Sequence, residues 1–280
     1  MPETEEYVLD IGALGALAGI ILIAALAYIA VRGKAIDYPG ALAGFLITLS
    51  AFLAGGFGWL FEIAAFFVIS SVLTRFRYDY KLSIGSAQEK GGTRSWPNTL
   101  ANGFISAIMA VVYAFSHEQL FAIGFVAAVG AAMSDTIATE IGLLSNSKPR
   151  SITNPRKYVE PGTSGGVSFL GELAALISSV GIGLLAIVLH VVPYEKTSLS
   201  LILLSVVIGG LVGTNFDSLL GGTIQSLRRC VECGILTESR FHHNKPTEIV
   251  RGSRFIDNNV VNFIAIAVGT FVAVAIFLIA

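Results

Sequence analysis

Charged residues are scarce in this sequence. They make up 13% of the 280 residues, against about 25% in typical soluble domains. Hydrophobic residues make up 54%, and the mean hydropathy is +0.75. This balance excludes an ordinary soluble domain and predicts an integral membrane protein surrounded by membrane lipid. We expect no nucleic-acid partner, and the sequence predicts no particular oligomeric state.

Cysteine is also rare, since the chain has only Cys230 and Cys233. Both lie in a loop that we expect on the cytoplasmic side, where thiols stay reduced, so a structural disulfide is not expected. The Cys-x2-Cys-Gly pattern, with His242 and His243 further on, could bind zinc. A single pair lacks the second Cys-x2-Cys that makes such patterns specific. We therefore favour the alternative of a metal-free loop.

The chain does not start with a basic stretch, and its first apolar run is of about full spanning length. Secretory signals carry a basic start before a shorter apolar run. We therefore expect neither a cleavable signal nor a transit peptide.

Long apolar runs recur along the whole chain. A helix needs about 20 predominantly apolar residues to cross the hydrocarbon core. The sequence predicts an all-α, polytopic membrane protein that forms one integral membrane domain over residues 1–280. The predicted spans are 9–31, 41–56, 57–74, 98–115, 119–141, 167–192, 199–225 and 259–279. The second and third are short and meet at a glycine-rich stretch, so a re-entrant pair over 41–74 is the alternative.

The basic residues support eight spans. Cytoplasmic loops of membrane proteins are enriched in lysine and arginine. With both termini outside, 17 of the 18 basic residues fall in inner loops, and Lys196 alone falls outside. The inner ones are Arg32, Lys34, Arg75, Arg77, Lys81, Lys90, Arg94, Lys148, Arg150, Arg156, Lys157, Arg228, Arg229, Arg240, Lys245, Arg251 and Arg254. We therefore predict an N-out, C-out topology.

The inner loops are long and the outer ones are short. Residues 75–97, 142–166 and 226–257 hold most of the polar loop sequence, and long loops in compact proteins are more often functional than connective. The functional site is therefore expected to face the cytoplasm.

Four acidic residues lie in the inner parts of the predicted spans: Asp135, Glu140, Glu172 and Asp217. A charged side chain at the centre of a bilayer costs at least about 2.5 kcal/mol and is usually functional. Polar side chains can also serve as hydrogen bonds between helices, but two acids at one depth need a cation or a proton. The sequence predicts Mg²⁺ bound by Asp135 and Asp217, with Glu140 as a further ligand.

A glycine-rich turn over 161–166 precedes the sixth span. Its amides and hydroxyls could bind a phosphate at the positive end of the helix that we expect directly after it. The turn contributes Gly162, Thr163, Ser164, Gly165 and Gly166, and the basic residues just before it are Lys148, Arg150 and Arg156. Lys90 and Arg94 repeat this pattern beside two glycines. The alternatives are an ordinary turn and the general basic bias of inner loops.

Several of these motifs together resemble a known family. The stretches SDTIATEIG, KPRSI, EPGTSGGVS, FDSLLGGTIQ and DNNVVN occur in order between about residues 90 and 265. They are similar to the integral membrane family catalogued as domain of unknown function ninety-two, whose best-understood member is a phytyl-phosphate kinase of vitamin E synthesis. The resemblance implies transfer of the terminal phosphoryl group of CTP, or of another nucleoside triphosphate, to a prenyl monophosphate such as phytyl or geranylgeranyl phosphate.

Under this hypothesis each polar group has a role. Asp135, Asp217, Lys90 and Arg94 are the predicted catalytic residues, and Lys90 and Arg94 hold the acceptor phosphate together with Asn98 and Asn102. The predicted nucleotide-binding residues are Lys148, Arg150, Arg156, Gly162, Thr163, Ser164, Gly165, Gly166, Thr139, Ser218, Gln225, Asn259 and Asn262. We expect the protein in the plasma membrane of a prokaryote, with its active site facing the cytoplasm.

Two alternatives remain open from the sequence. Intramembrane acids and glycine-broken helices also occur in ion- or proton-coupled transporters, whose sites lie near the middle of the membrane. A CTP-dependent cytidylyltransferase or a prenol kinase would use the same nucleotide chemistry on another acceptor.

Overall fold

The computed structural model describes residues 12–193, 197–243 and 245–280. Lys196 and the acidic start at Glu3, Glu5 and Glu6 lie outside the described residues. Helices dominate the described part, and seven of them are long and apolar enough to cross a membrane. The prediction of an all-α polytopic membrane protein is therefore confirmed.

The helices occupy the predicted apolar segments. In chain order they are α1 (Ala13–Arg32), α2 (Tyr38–Arg75), α3 (Tyr78–Ser83), α4 (Glu89–Gly92), α5 (Trp96–Ser116), α6 (Gln119–Gly142), α7 (Phe169–Val188), α8 (Leu199–Thr223) and α9 (Asn258–Ile279). Here α3 and α4 are short and lie in the loop between the second and third long helices. The short strands are β1 (Arg150–Ser151), β2 (Asn154–Tyr158), β3 (Gly166–Val167), β4 (Leu227–Arg229), β5 (Leu236–Thr237), β6 (Phe241–His242), β7 (Lys245–Pro246) and β8 (Glu248–Arg251).

Helix α2 contains the two short spans predicted from the sequence. Its backbone leaves the helical region at Gly56, at φ 72°. Both ends of α2 approach the same segment: Asp37 N–H donates to the carbonyl of Arg94, and Thr74 lies beside Gly92. The chain therefore reverses near Gly56 and forms a helical hairpin.

The turn of this hairpin reaches the far end of the bundle. There Trp59 Nε1 donates to the carbonyl of Val191, at 3.0 Å, just beyond the end of α7. Each half of α2 is about 27 Å long at a rise of 1.5 Å per residue, close to the hydrocarbon thickness of about 30 Å. This geometry favours two spans over a shallow re-entrant pair.

Helix α6 is the central element of the bundle. Ala122, Ile123, Phe125, Val126 and Ala128 are all 0% exposed, so this helix is surrounded by protein rather than lipid. Its small residues let neighbouring helices approach closely, which is the usual packing mode where lipid supplies no hydrophobic drive for association. The acids near its inner end are therefore placed inside the bundle.

Glycines give α8 and α9 their close contact. A Cβ on Gly209 would lie 2.7 Å from the carbonyl oxygen of Gly269. Only glycine permits this backbone approach. It holds the polar inner ends of the two helices side by side.

The loops fold into three small antiparallel sheets. One sheet has the order β2-β1-β3, a second has the order β5-β4-β8, and β6 pairs with β7 in a hairpin. The first lies between α6 and α7, and the other two lie between α8 and α9. These sheets give the long loops defined positions relative to the helices.

The long loops meet at one end of the bundle. Asp37 bonds to Arg94, Gly162 packs against Ser86, and Ser164 bonds to Glu238. The described basic residues of the predicted inner loops are therefore gathered at one face. Which face is cytoplasmic stays a prediction.

Accessibility labelling tests this orientation. In a chain with Cys230 and Cys233 replaced by serine, we expect a membrane-impermeant maleimide to label Ser116→Cys in intact cells. Ser147→Cys should react only after permeabilisation, because it lies in an inner loop. Both serines are exposed at opposite ends of α6, and labelling of position 147 in intact cells would contradict N-out, C-out.

Candidate active site

A cavity of 620 Å³ opens where the loops meet. Its walls come from α5 to α9, and its rim comes from the glycine-rich turn, the 85–95 segment and the 237–241 segment. Most of the residues predicted for the site line it. These are Asp135, Glu140, Asp217, Lys90, Arg94, Asn98, Asn102, Thr139, Gly162, Thr163, Ser164, Gly165, Gly166, Ser218, Gln225, Asn259 and Asn262.

Asp135 and Asp217 face the same cavity from separate helices, as predicted. Their charges interact with each other and with that of Glu238. Among the described residues, the Asp135 carboxylate has no hydrogen-bond or ion-pair partner. Asn262, with its amide nitrogen turned toward Asp217, donates to Oδ2 at 3.0 Å. The Asp135 carboxylate is therefore available to a molecule or ion bound in the cavity.

Glu238 is the acid that the sequence analysis missed. It comes from the loop between β5 and β6 and accepts a hydrogen bond from Ser164 Oγ at 2.6 Å. Burial raises the pKa of its carboxyl group, while the Ser164 hydrogen bond lowers it. Nothing in the local sequence distinguishes Glu238 from the other charged residues of this loop. Only the fold carries it to Asp135 and Asp217.

Glu140, nearer the inner end of α6, is buried and paired with a lysine. Its Oε2 is 2.5 Å from Nζ of Lys81, and the two side chains are 4% and 1% exposed. Lys81 also donates to the carbonyl of Leu73 at 2.7 Å. The sequence predicts Glu140 as a metal ligand, but in the structure it neutralises the buried Lys81.

Arg94 is held rigidly at the cavity wall. Its backbone forms a bridge to Ile36, and its guanidinium lies over the ring of Phe66, 5.6 Å from the centroid. Burial lowers its pKa to about 10, although the charge of Glu140 raises it. Arg94 is therefore still a cation at neutral pH. Lys90, by contrast, is 63% exposed and lies 3.5 Å from Asp37.

Asn98 and Asn102 line the cavity one turn apart on α5. Asn102 Nδ2 donates to the carbonyl of Asn98 at 2.8 Å, while its Oδ1 is buried without a hydrogen-bond partner among the described residues. Buried polar atoms are rarely left unpaired in native proteins. Asn102 Oδ1 is therefore available to accept a hydrogen bond from a donor group of a bound molecule.

The glycine-rich turn differs from its prediction in one respect. It leads into β3, not directly into α7, because Gly166 and Val167 pair with β1. Ser168 then caps α7 by accepting from Gly171 N–H at 3.1 Å. The N–H groups of Thr163 and Gly166 are used within the turn, so it offers fewer free amides than predicted.

Three basic residues predicted to bind phosphate lie away from the cavity. Lys148 pairs with Glu160, at 2.7 Å, on the surface. Arg150 stacks on Tyr158, 4.7 Å from the ring centroid, and Arg156 is exposed on β2. The fold therefore does not bring Lys148, Arg150 or Arg156 to the cavity of Asp135 and Asp217; Lys148 and Arg150 line a separate pocket with Glu172. The antiparallel pairing of β1 with β2 directs this hairpin outward.

Two more charged residues of the cavity were missed. Arg240 and Asp257 both line it, and Arg240 is 3.2 Å from Asp257. Arg251, from the same loop, donates to the carbonyl of Gly221 at 2.6 Å and so joins the loop to the end of α8. These residues come from a loop without periodic hydrophobicity, so no sequence pattern could place them.

Glu172 accepts a hydrogen bond from Asn215, at 3.0 Å, and so links α7 to α8. Glu62 does not line this cavity. It is 0% exposed in the outer part of the α2 hairpin.

Comparison with known proteins agrees with this architecture. The family model described as "Integral membrane protein DUF92" matches residues 21–270. The chain belongs to this family. The resemblance inferred from the sequence motifs is therefore confirmed. No solved structure matches the chain.

Several curated relatives are similar over most of the chain. Protein PGR of Arabidopsis thaliana is 30% identical over 272 residues, which cover 90% of this chain and 92% of that protein. The uncharacterized membrane protein MJ0933 of Methanocaldococcus jannaschii is 30% identical over 207 residues, 74% of this chain and 82% of that protein. The chloroplastic protein VTE6 of Arabidopsis thaliana is 25% identical over 240 residues, 84% of this chain and 63% of that protein.

The Lys81–Glu140 pair gives a stability prediction. We expect Lys81→Met to lower the free energy of unfolding by about 3–5 kcal/mol, because it leaves a buried carboxylate unpaired. Thermal unfolding in detergent measures this change in the free energy of unfolding. The control is Lys148→Met, whose pair with Glu160 is 60% and 75% exposed, and it should cost less than about 1 kcal/mol. Equal effects of the two substitutions would contradict a structural role for Lys81.

The glycine-rich turn gives a second stability prediction. Gly165 has φ +81°, and a Cβ there would lie 2.3 Å from Cα of Gly222 on α8. Gly165→Ala should therefore push the turn away from α8 and lower the melting temperature. Gly91→Ala is the matched control, because Gly91 has φ +69° and nothing within 4 Å of a Cβ. Gly91→Ala should lower the free energy of unfolding only by the backbone cost of about 1–2 kcal/mol. If Gly165→Ala lowers the free energy of unfolding by no more than this, the contact with Gly222 is disproved.

Proposed function

We propose that this protein is a membrane prenyl-phosphate kinase. The reaction transfers the terminal phosphoryl group of CTP, or of another nucleoside triphosphate, to an oxygen of a prenyl monophosphate. A new P–O bond forms to the acceptor, and the bond between the β- and γ-phosphates breaks to release the nucleoside diphosphate. The observation that carries the proposal is the meeting of Asp135, Asp217 and Glu238 with Arg94 around one cavity.

The three carboxylates fit Mg²⁺. They supply hard oxygen donors from three separate elements, and Asp135 has no partner of its own among the described residues. Mg²⁺ in phosphate-transferring proteins is usually held by one or two carboxylates together with substrate phosphates. Asp135, Asp217 and Glu238 would hold it, and the bound ion would neutralise phosphate charge.

Arg94 suits the acceptor phosphate, and Asn98 and Asn102 line the same cavity. Arg94 remains a cation at neutral pH, and its position is fixed by the bridge to Ile36 and by Phe66. A fixed guanidinium binds phosphate with two parallel hydrogen bonds. Lys90 lines the same side of the cavity and is free to turn from Asp37 toward an anion. These residues position the acceptor and stabilise the charge that develops during transfer.

Thr163, Ser164 and Ser218 suit the donor nucleotide, because their hydroxyl groups line the cavity at the glycine-rich turn and the adjacent end of α8. Gly165 lets the turn pack directly against Gly222 at the end of α8. This contact places the hydroxyl of Ser164 next to Glu238. The turn thus joins the nucleotide side of the cavity to the acids.

The acceptor requires no general base. The second pKa of a phosphate monoester is about 6, so the attacking oxygen is already largely ionised at neutral pH. None of the described residues lining the cavity is a histidine, which is consistent with this chemistry. The work of the protein is positioning and charge neutralisation, as in phosphoryl transfer generally.

The membrane setting explains the position of the site. A prenyl chain stays in lipid while its phosphate must reach a water-soluble nucleotide. The acceptor side of the cavity is formed by α5, which lies next to α9. Phe104 and Phe263 face each other across this seam, with ring centroids 6.2 Å apart, and both are partly exposed. We propose that the prenyl chain leaves the cavity along this seam.

The packing of the outer half favours an enzyme over a transporter. Trp59 stacks on Phe125 with ring centroids 4.1 Å apart and lies 4.9 Å from the ring of Tyr113. A transport site needs access from both sides near the middle of the membrane. The polar groups of the cavity lie at one end only, and this aromatic cluster fills the helix interfaces beyond it.

The cellular setting is also part of the proposal. We place the protein in the plasma membrane of a prokaryote, with the cavity open to the cytoplasm, where nucleotides are available. The positive-inside distribution of lysine and arginine supports this orientation.

An assay with purified protein tests the function. Incubation with CTP labelled in its terminal phosphate, Mg²⁺ and prenyl monophosphates of several lengths should give labelled prenyl diphosphates. We expect Asp135→Asn, Asp217→Asn and Glu238→Gln each to lower the rate by at least about 100-fold, because each removes a carboxylate from the metal site. Asp79→Asn is the control, since Asp79 is exposed and outside the cavity.

The products distinguish the related activities. CDP identifies a kinase, whereas release of pyrophosphate identifies a cytidylyltransferase, and activity on the free alcohol identifies a prenol kinase. Omitting the acceptor controls for simple hydrolysis. Full turnover by the folded Asp135→Asn or Asp217→Asn variant would reject the metal role.

A further inference from the structure

Four metal-binding side chains meet in the loop between α8 and α9, apart from the carboxylates of the cavity. They are Cys230, Cys233, His242 and His243, and one ligand atom from each lies within 4.8 Å of the others. Sγ of Cys233 is 3.6 Å from Nδ1 of His242, and the two imidazole rings have centroids 4.2 Å apart. The sequence alone favoured a metal-free loop, because it did not show that the histidines lie beside the cysteines.

The spacing of these atoms suits tetrahedral zinc. With Zn–S of about 2.3 Å and Zn–N of about 2.0 Å, the ligand atoms of a tetrahedron lie about 3.3–3.8 Å apart. The distance between Cys233 and His242 already falls in this range. Two thiolates with two imidazoles in tetrahedral geometry are typical of zinc.

The backbone around the cysteines has the form of a metal-binding turn. Cys230 follows β4, and Gly234 N–H donates to the carbonyl of Cys230 at 3.0 Å. Gly234 has φ +73°, which lets the chain return into β5.

The histidines are carried by a second hairpin. His242 ends β6, and successive side chains of a strand point to opposite faces. His243 leaves the strand with φ 54°. This left-handed conformation is uncommon for residues other than glycine, and it brings the second imidazole to the same side as the first. Two hairpins thus present their ligand-bearing ends to each other.

The loop between α8 and α9 has little hydrophobic core of its own. Among its described residues over 226–257, the buried hydrophobic side chains are Leu227 and Cys230. Val231, Phe241 and Val250 are 55%, 64% and 44% exposed. Small units with so little apolar burial usually need a metal or a disulfide.

We propose that Cys230, Cys233, His242 and His243 form a structural zinc site. The four protein ligands complete the tetrahedron, so the ion has no open position for substrate. The ion links residue 230 to residue 243 and so closes a loop between them. The enclosed stretch includes Glu238 and Arg240, which line the cavity. Zinc therefore fixes the loop that carries Glu238 to Asp135 and Asp217, whatever reaction the cavity performs.

Metal analysis tests this site without any assay of activity. Full-length protein purified with a reductant and without chelators should contain about one zinc per chain. Cys233→Ser and His242→Asn should each retain roughly a third of this content or less. His117→Asn should retain all of it, because His117 is an exposed histidine outside the cluster. Wild-type protein that stays zinc-free after incubation with zinc, or variants with wild-type content, would overturn the proposal.

Thiol titration provides a second test. It uses the wild-type protein, so misfolding of a variant cannot affect the result. The chain has two cysteines, so every reacting thiol belongs to the cluster. We expect both to be protected from a thiol reagent and to react once a zinc chelator is added. Thiols that react equally without the chelator would contradict the site. Thiols that react only after a reductant is added would also contradict the site, because this result shows a disulfide between the two cysteines.

Discussion

Negative charge inside a membrane protein must be compensated, and this constraint governs the inner end of the bundle. Asp135, Asp217 and Glu238 lie close enough for their charges to interact. A buried charge without a partner costs several kcal/mol. Arg240 is already paired with Asp257. A divalent cation, as proposed above, would compensate these charges and would let the cavity attract phosphates that the acids alone repel.

The helix packing keeps these acids in place. Helix α6 is almost entirely enclosed by protein, so its inner end can carry Asp135 away from lipid. The close contact of α8 with α9 holds Asp217 beside Asn262. Lys81 neutralises one further acid, Glu140. The remaining carboxylates are left to the cavity. The α2 hairpin and its aromatic contacts fill helix interfaces of the outer half, where Glu62 is buried apart from the cavity.

The helices and the loops contribute differently to the site. The helices supply Asp135 and Asp217 on rigid supports, whereas the loops supply Glu238, Arg94 and the glycine-rich turn. Loops without a core of their own hold such groups only if other contacts fix them. Here Ser164 binds Glu238, Arg251 binds the end of α8, and the two hairpins of the 226–257 segment bring the cysteines and histidines together.

The sequence by itself determined the membrane class, the position of each long helix and the two intramembrane aspartates. The bilayer requires long hydrophobic runs and makes acidic residues within them rare. Both features can therefore be recognised without a structure. The polar helix residues expected in the site also line the cavity, because helical spacing places them on inward faces.

Only the tertiary structure decided which loop residues reach the acids. Lys148, Arg150 and Arg156 looked suitable by charge, yet the β1–β2 hairpin turns them outward, while Glu238 arrives from a loop that carries no periodic pattern. Lys81 likewise became a buried partner of Glu140 through a contact between residues 59 positions apart. Loop positions depend on such long-range contacts, which local sequence does not encode, whereas the bilayer imposes its pattern on every spanning residue.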